Sequence, residues 1–97
     1  MKTKNKIRII MADDHPIFRS GLRQIIEEDK NIEILGEADN GQAALELIDK
    51  YKPDIVLLDI DMPVKTGVDV MRELPERDRI PKVIFLAVYA VEDTYDV

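Results

Sequence analysis

Apolar and polar positions along this chain fall into two rhythms: short, nearly continuous apolar runs, and longer stretches with helical spacing. The first run, Ile7 to Ala12, is broken only by Arg8, as expected of a parallel strand covered on both faces. It stops at Asp13-Asp14, and His15-Pro16 follows. Pro16 suits the first turn of a helix, where its missing N–H would have had no partner. Phe18, Leu22, Ile25 and Ile26 then fall on one stripe, which predicts an amphipathic helix ending near Lys30. Ile32 to Ala38 carries Glu33 between two isoleucines and reads as an outer strand with one wetter face. Asp39-Asn40-Gly41 supplies a turn and cap, after which Ala44, Leu47, Ile48 and Tyr51 mark a second amphipathic helix closed by Lys52-Pro53. Ile55-Val56-Leu57-Leu58 reads as a central strand that ends in Asp59. A loop through Gly67, a short helix with Val70, Met71 and Leu74 on one face before Pro75, and a last buried strand from Val83 to Val88 complete the pattern. Alternation of this kind predicts an α/β fold, a doubly wound parallel sheet with right-handed crossovers.

Composition narrows the class. Ninety-seven residues support one compact domain. Their 45% apolar content is enough for a core. Without cysteine there is no disulfide framework, thiolate metal site or thiol catalysis, and a reducing, cytoplasmic setting is expected. No apolar run approaches membrane-spanning length, and the basic start Met1-Lys2-Thr3-Lys4 has no signal-peptide stretch behind it, so no membrane partner is expected. Twenty acidic side chains against 14 basic ones give a net charge of −6. That balance argues against direct nucleic-acid binding by these residues, because phosphate contacts need a basic patch.

Where the acids stand matters more than their number. Open parallel sheets bind ligands at the carboxyl ends of their strands, where strand order reverses. Asp13 and Asp14 follow the first strand, Asp59 ends the third, and Asp61 lies two residues on. If the first and third strands are neighbours, as in a flavodoxin-like order, these carboxylates converge. Unpaired charges that close repel by several kcal/mol, or about 4 kcal/mol at 4 Å and an effective dielectric near 20. Such a cluster must recruit a cation or hold a proton, and Mg2+, a hard oxygen-seeking ion, is the economical solution. The pattern suggests magnesium-assisted chemistry at phosphorus with one carboxylate as nucleophile.

At these residues the chain also resembles the receiver domain of two-component response regulators, in particular transcriptional regulators of the NarL/FixJ (LuxR) type. The segments that carry the resemblance are Met11 to Leu22, Gly36 to Ala44 and Pro53 to Pro63. It implies a flavodoxin-like (CheY-like) sheet of strand order 2-1-3-4, with a fifth strand and fifth helix that would follow beyond Val97. It further implies that Asp59 is the phosphoacceptor, taking a phosphoryl group from a sensor histidine kinase or a small acyl phosphate. Asp13 and Asp14 would form the acid pocket. Mg2+ would be held by Asp14, Asp59 and the backbone carbonyl of Asp61, with Asp13 acting largely through water. The chain would then be a phosphoacceptor rather than an enzyme, with at most self-phosphorylation and self-dephosphorylation. DNA would be reached only through an output domain not contained in these residues.

Two departures from the family pattern stand out. Ala87 occupies the switch position where the family usually has a Ser or Thr hydroxyl, and no lysine lies after Lys82 to pair with the phosphoryl group. These departures support an alternative, a phosphorylation-independent receiver-like dimerisation module. The apolar fourth strand, left as an edge, would favour a homodimer or strand-exchanged oligomer. The Asp59-Ile60-Asp61 step is also similar to the start of haloacid-dehalogenase-type phosphatases, but Pro63 stands where that family has Thr or Val.

Simpler roles compete at single residues. Asp13-Asp14 alone would serve as a helix cap. His15 beside the pocket invites a metal or phosphohistidine role, against which stands the simpler reading of a surface or capping residue, and Gly41 and Gly67 read as turn and close-packing positions. Tyr89 and Tyr95 read as ordinary packing near the end of the chain.

Overall fold

The computed structural model describes residues 6–87. In chain order these form β1 (Ile7–Ala12), α1 (Pro16–Glu27), β2 (Ile32–Ala38), α2 (Gly41–Tyr51), β3 (Ile55–Asp59), α3 (Gly67–Glu73), a 3₁₀ turn (Leu74–Glu76) and β4 (Lys82–Leu86). All strand pairs are parallel, as expected from the alternation, and the sheet order is β2-β1-β3-β4, the order that the resemblance implied.

Strand alternation divides the apolar residues between two faces. Ile10 and Ala12 of β1, Val56 and Leu58 of β3 and the partly buried Val83 of β4 pack against Ala44, Leu45 and Ile48 of α2, Val70 of α3 and Leu74. That cluster is the core, and each large side chain fully buried in it contributes roughly 1.5–3 kcal/mol. The other face presents Ile7, Ile9, Ile55, Leu57 and Ile84, which line an apolar groove with Ile26 of α1.

Three expectations are corrected here. The α1 stripe is split: Leu22 and Ile26 are half-buried, whereas Phe18 and Ile25 are exposed, and no α1 residue is fully buried. The reason is coverage, since α1 packs against β2 and nothing among the described residues covers its outer flank. The helix also stops at Glu27 rather than near Lys30, because the Asp29 carboxylate accepts the Asn31 amide at 2.9 Å and closes a turn. Finally, β4 is not a buried strand. Its pattern leaves Ile84 and Phe85 exposed, as suits a sheet edge, and it ends at Leu86 with Ala87 beyond it. Val88, Tyr89 and Tyr95 lie outside the described residues. Among the described residues no helix is long and apolar enough to cross a membrane.

Candidate functional site

The reversal of strand order lies between β1 and β3, and the acids stand there. Asp13 continues β1 by one residue, its amide donating to the Ala38 carbonyl at 3.0 Å. Asp59 is the last residue of β3, in register with Leu86, and the next amide, that of Ile60, donates to the Leu86 carbonyl at 3.1 Å. Sheet backbone on both sides therefore fixes two carboxylates that are almost wholly buried, Asp13 at 0% exposure and Asp59 at 1%. Asp14 stands beside them half-buried. Asp13, Asp14, Asp59 and His15 each offer a ligand atom, and these atoms all lie within 4.8 Å of one another.

The hydrogen bonds leave this cluster incomplete. Asp13 Oδ1 accepts the His15 amide at 2.7 Å and lies 2.8 Å from His15 Nδ1. Asp59 Oδ1 accepts the Asp61 amide at 3.2 Å. Asp13 Oδ2, Asp14 Oδ1 and Asp59 Oδ2 are buried without a hydrogen-bond partner, an unfavourable arrangement for ionised oxygens. Burial is the main reason that the Asp59 carboxyl is pushed above its ordinary range; the charges of Asp13 and Asp14 add to the shift, while the Asp61 amide and His15 oppose it. His15 is raised in turn, chiefly by its hydrogen bond to Asp13. Three orphaned oxygens of hard donor type fit a divalent cation such as Mg2+, which would supply the missing positive charge.

These shifts set a pH dependence for the metal-free chain. Asp59 binds its proton more tightly when folded than its ordinary value of 3.8 allows, so its burial penalty is relieved as pH falls through the raised value toward 3.8. His15, raised above 6.5, contributes stability fully below 6.5 and loses it as pH rises through its folded value. Asp49 and Asp69 are lowered below 3.8, by the Arg77 guanidinium and by the Thr66 amide respectively, so their contributions disappear as pH falls through those lowered values. In EDTA the urea midpoint should therefore climb from neutral to weakly acidic pH and collapse only below about pH 4. A midpoint that falls steadily from neutral pH downward would contradict this balance.

The loop between β3 and α3 is held against the acids by close packing. Gly41 begins α2 where an added Cβ would lie 2.1 Å from the Lys65 carbonyl oxygen. Gly67 begins α3 where one would lie 2.4 Å from the Asp59 carbonyl oxygen. The Gly67 amide donates to the Ile60 carbonyl at 2.9 Å. Close approach of backbone, rather than positive φ, is what these glycines supply.

The structure brings Asp13, Asp14 and Asp59 together. Asp61 contributes its amide to Asp59, and its side chain is exposed. Ala87 stands exposed just past β4, with no hydroxyl to offer. His15 is the N-cap residue of α1, as one reading had it, and its ring also faces the pocket, 3.0 Å from Asp14 Oδ1 and 3.4 Å from Asp59 Oδ2. Arg19 went unread: it donates to the Asp13 carbonyl and, at 3.0 Å, to Glu37 on β2, pinning the end of β1. One unread signal was available, since Thr66 and Asp69 match a capping-box spacing and form one at the start of α3. Another was not: Val64 sits at φ 68° in that loop, a strained conformation for a β-branched residue.

Comparison with known proteins agrees with this geometry. A family model described as the response regulator receiver domain matches residues 9–96. The transcriptional regulatory protein DegU of Brevibacillus brevis is 38% identical over 86 residues, covering 89% of this chain and 36% of that protein. The nitrate/nitrite response regulator protein NarL of Escherichia coli K12 is 33% identical over 88 residues, covering 91% of this chain and 41% of that protein. The chain thus spans about two-fifths of the length of these curated relatives. Among solved structures, the signal receiver domain of the response regulator NarL from Mycobacterium tuberculosis superposes with a TM-score of 0.83 at 34% identity, covering 90% of this chain and 70% of that one.

Proposed function

This chain belongs to the response regulator receiver domain family, and from that premise we propose that it is a phosphoacceptor switch with Asp59 as nucleophile. One observation carries the reading: Asp59 Oδ2 is buried, unpartnered, and turned into a pocket made by Asp13 and Asp14. The Asp61 amide occupies Oδ1 and orients the carboxylate, leaving Oδ2 with the free lone pair. Oδ2 attacks phosphorus in line; the bond from phosphorus to the phosphohistidine nitrogen, or to the acyl oxygen of a small acyl phosphate, breaks; and Asp59 carries an acyl phosphate. Bound Mg2+ would supply charge neutralisation for the transferring phosphoryl group. Asp14, Asp59 and the Asp61 carbonyl would hold it, and Asp13 would act through water. The signal is the added charge, roughly −2 in place of −1.

On this reading the donor is a sensor histidine kinase in the cytoplasm, and the chain performs no turnover beyond gaining and losing its own phosphoryl group. DNA is reached through an output domain outside these residues, a reading supported by the likeness to a DNA-binding response regulator of the LuxR family from Staphylococcus aureus. Incubation with acetyl phosphate and Mg2+ should add one phosphate by intact mass spectrometry, and EDTA should prevent it. Equal uptake in EDTA, or none with Mg2+, would contradict the proposal.

A second reading has its own observation. Ala87 offers no hydroxyl where β4 ends, and the β4 edge exposes Ile84 and Phe85. A receiver-like module that dimerises through this edge without phosphorylation would sediment as a dimer, or as a strand-exchanged oligomer, equally with and without Mg2+ and beryllofluoride. A monomer at high concentration in both conditions would exclude it.

A further inference from the structure

The geometry points to His15 as a nitrogen ligand in the carboxylate pocket, so that this site takes a borderline divalent ion such as Co2+, Ni2+ or Zn2+ in addition to a hard one. The inference rests on reading the pocket as a cation site, though not on phosphoryl transfer.

The argument begins with donor spacing. Around an ion with bonds of about 2.0–2.2 Å, neighbouring donors stand about 2.8–3.6 Å apart, depending on whether the angle between them is near square or tetrahedral. His15 Nδ1 lies 2.8 Å from Asp13 Oδ1, 3.0 Å from Asp14 Oδ1 and 3.4 Å from Asp59 Oδ2. One imidazole nitrogen therefore sits at ligand spacing from all three carboxylates at once. The widest separation in the set reaches 4.8 Å, somewhat more than the about 4.2 Å of a trans pair. A small inward turn of the half-exposed Asp14 or His15 closes that difference.

Two buried carboxylates make the cluster more than a group of surface acids, Asp13 meeting His15 through Oδ1 and keeping Oδ2 without a partner. Asp13 Oδ2 and Asp59 Oδ2 belong to side chains almost wholly removed from solvent, and neither has a hydrogen-bond partner. The His15 backbone is held in place, because it is the N-cap residue of α1 and its amide donates to Asp13 Oδ1, leaving the ring to turn about its side-chain bonds. On ligation Nδ1 gives its lone pair to the ion and the ring proton resides on Nε2. Imidazole nitrogen is poorly matched to Mg2+ and well matched to the later first-row ions. His15 thus adds affinity for those ions while leaving a hard ion to the oxygens.

The test is helped by composition, as His15 is the one histidine in the chain and there is no cysteine. Tag-free protein loaded with one equivalent of Cu2+ should show, by electron spin-echo envelope modulation, the remote-nitrogen pattern of a single imidazole. That pattern can come from no other residue. By calorimetry with Co2+, His15→Gln should weaken binding by about tenfold or more, with no comparable loss of Mg2+ binding. Absence of the imidazole pattern, or equal Co2+ affinity in parent and variant, would overturn the role of His15 while leaving the carboxylate site intact. Failure of both Mg2+ and Co2+ to bind would overturn the cation site as well.

Discussion

Replacing Asp59 with asparagine is expected to abolish phosphoryl uptake and, in EDTA, to make the chain more stable than the parent. The two effects have one cause. Asp59 is 1% exposed, its Oδ2 has no hydrogen-bond partner, and Asp13 and Asp14 stand beside it. A side chain placed for folding alone would not carry a charge there, since a like charge at about 4 Å costs about 4 kcal/mol even at an effective dielectric of 20. The amide keeps the shape and the acceptor for the Asp61 N–H while removing the charge. A gain of about 1–4 kcal/mol is expected. For a domain of this size that corresponds to an upward shift in melting temperature of at least about 4 °C and up to about 30 °C, at about 4–8 °C per kcal/mol. Mg2+ should stabilise the parent by linkage and the variant much less, narrowing or reversing the difference. Melting curves in EDTA and in Mg2+ decide the matter, and a variant less stable than the parent in EDTA would contradict the account.

Gly67→Ala is expected to be the most damaging small substitution near the site. The new Cβ would stand 2.4 Å from the Asp59 carbonyl oxygen and 2.9 Å from Ile60 Cα, and both neighbours are backbone that cannot swing aside. Either α3 moves away from β3 or the end of β3 moves with its carboxylate. Overpacking of this kind costs about 3 kcal/mol, which lowers the melting temperature by about 12–24 °C. Because the displaced backbone is that of Asp59 itself, phosphoryl uptake should fall further than the folded fraction does. Gly41→Ala should cost a similar amount of stability, its clash being 2.1 Å with the Lys65 carbonyl oxygen. Melting temperatures within about 3 °C of the parent for both variants would show that the loop is not packed as described.

Much of this fold was legible because its strands are short and obey a simple rule. Ile7–Ala12 begins and ends where its apolar run does, as suits an inner parallel strand covered on both faces, and Ile32–Ala38 keeps its bounds as an outer strand that admits Glu33 and Glu37. The acids at the ends of β1 and β3 were legible for the complementary reason: a charge that closes an apolar run marks the level at which the sheet meets its crevice. Helix burial was less legible. Phe18 and Ile25 satisfy helical periodicity whether or not anything covers them, and the structure leaves them exposed. Periodicity reports which face could be buried, and coverage depends on what lies next to it. His15 stands at the cap its local sequence suggests, but its place beside the pocket was only partly legible. Its approach to Asp59 depends on β1 and β3 being neighbours, a contact between residues 44 positions apart. Gly67 reads as a turn and close-packing residue, but only the structure shows that the backbone packed against it is that of Asp59.

The claim at the centre of this account is that the buried oxygen of Asp59, and not one of the neighbouring carboxylates, forms the bond to phosphorus. Borohydride reduction tests it directly, because an aspartyl phosphate is reduced to homoserine whereas free aspartate is untouched. Chain treated with acetyl phosphate and Mg2+, then reduced and mapped by peptide mass spectrometry, should carry homoserine at position 59 alone. Homoserine at Asp13, Asp14 or Asp61, or unmodified aspartate at all four positions, would contradict it.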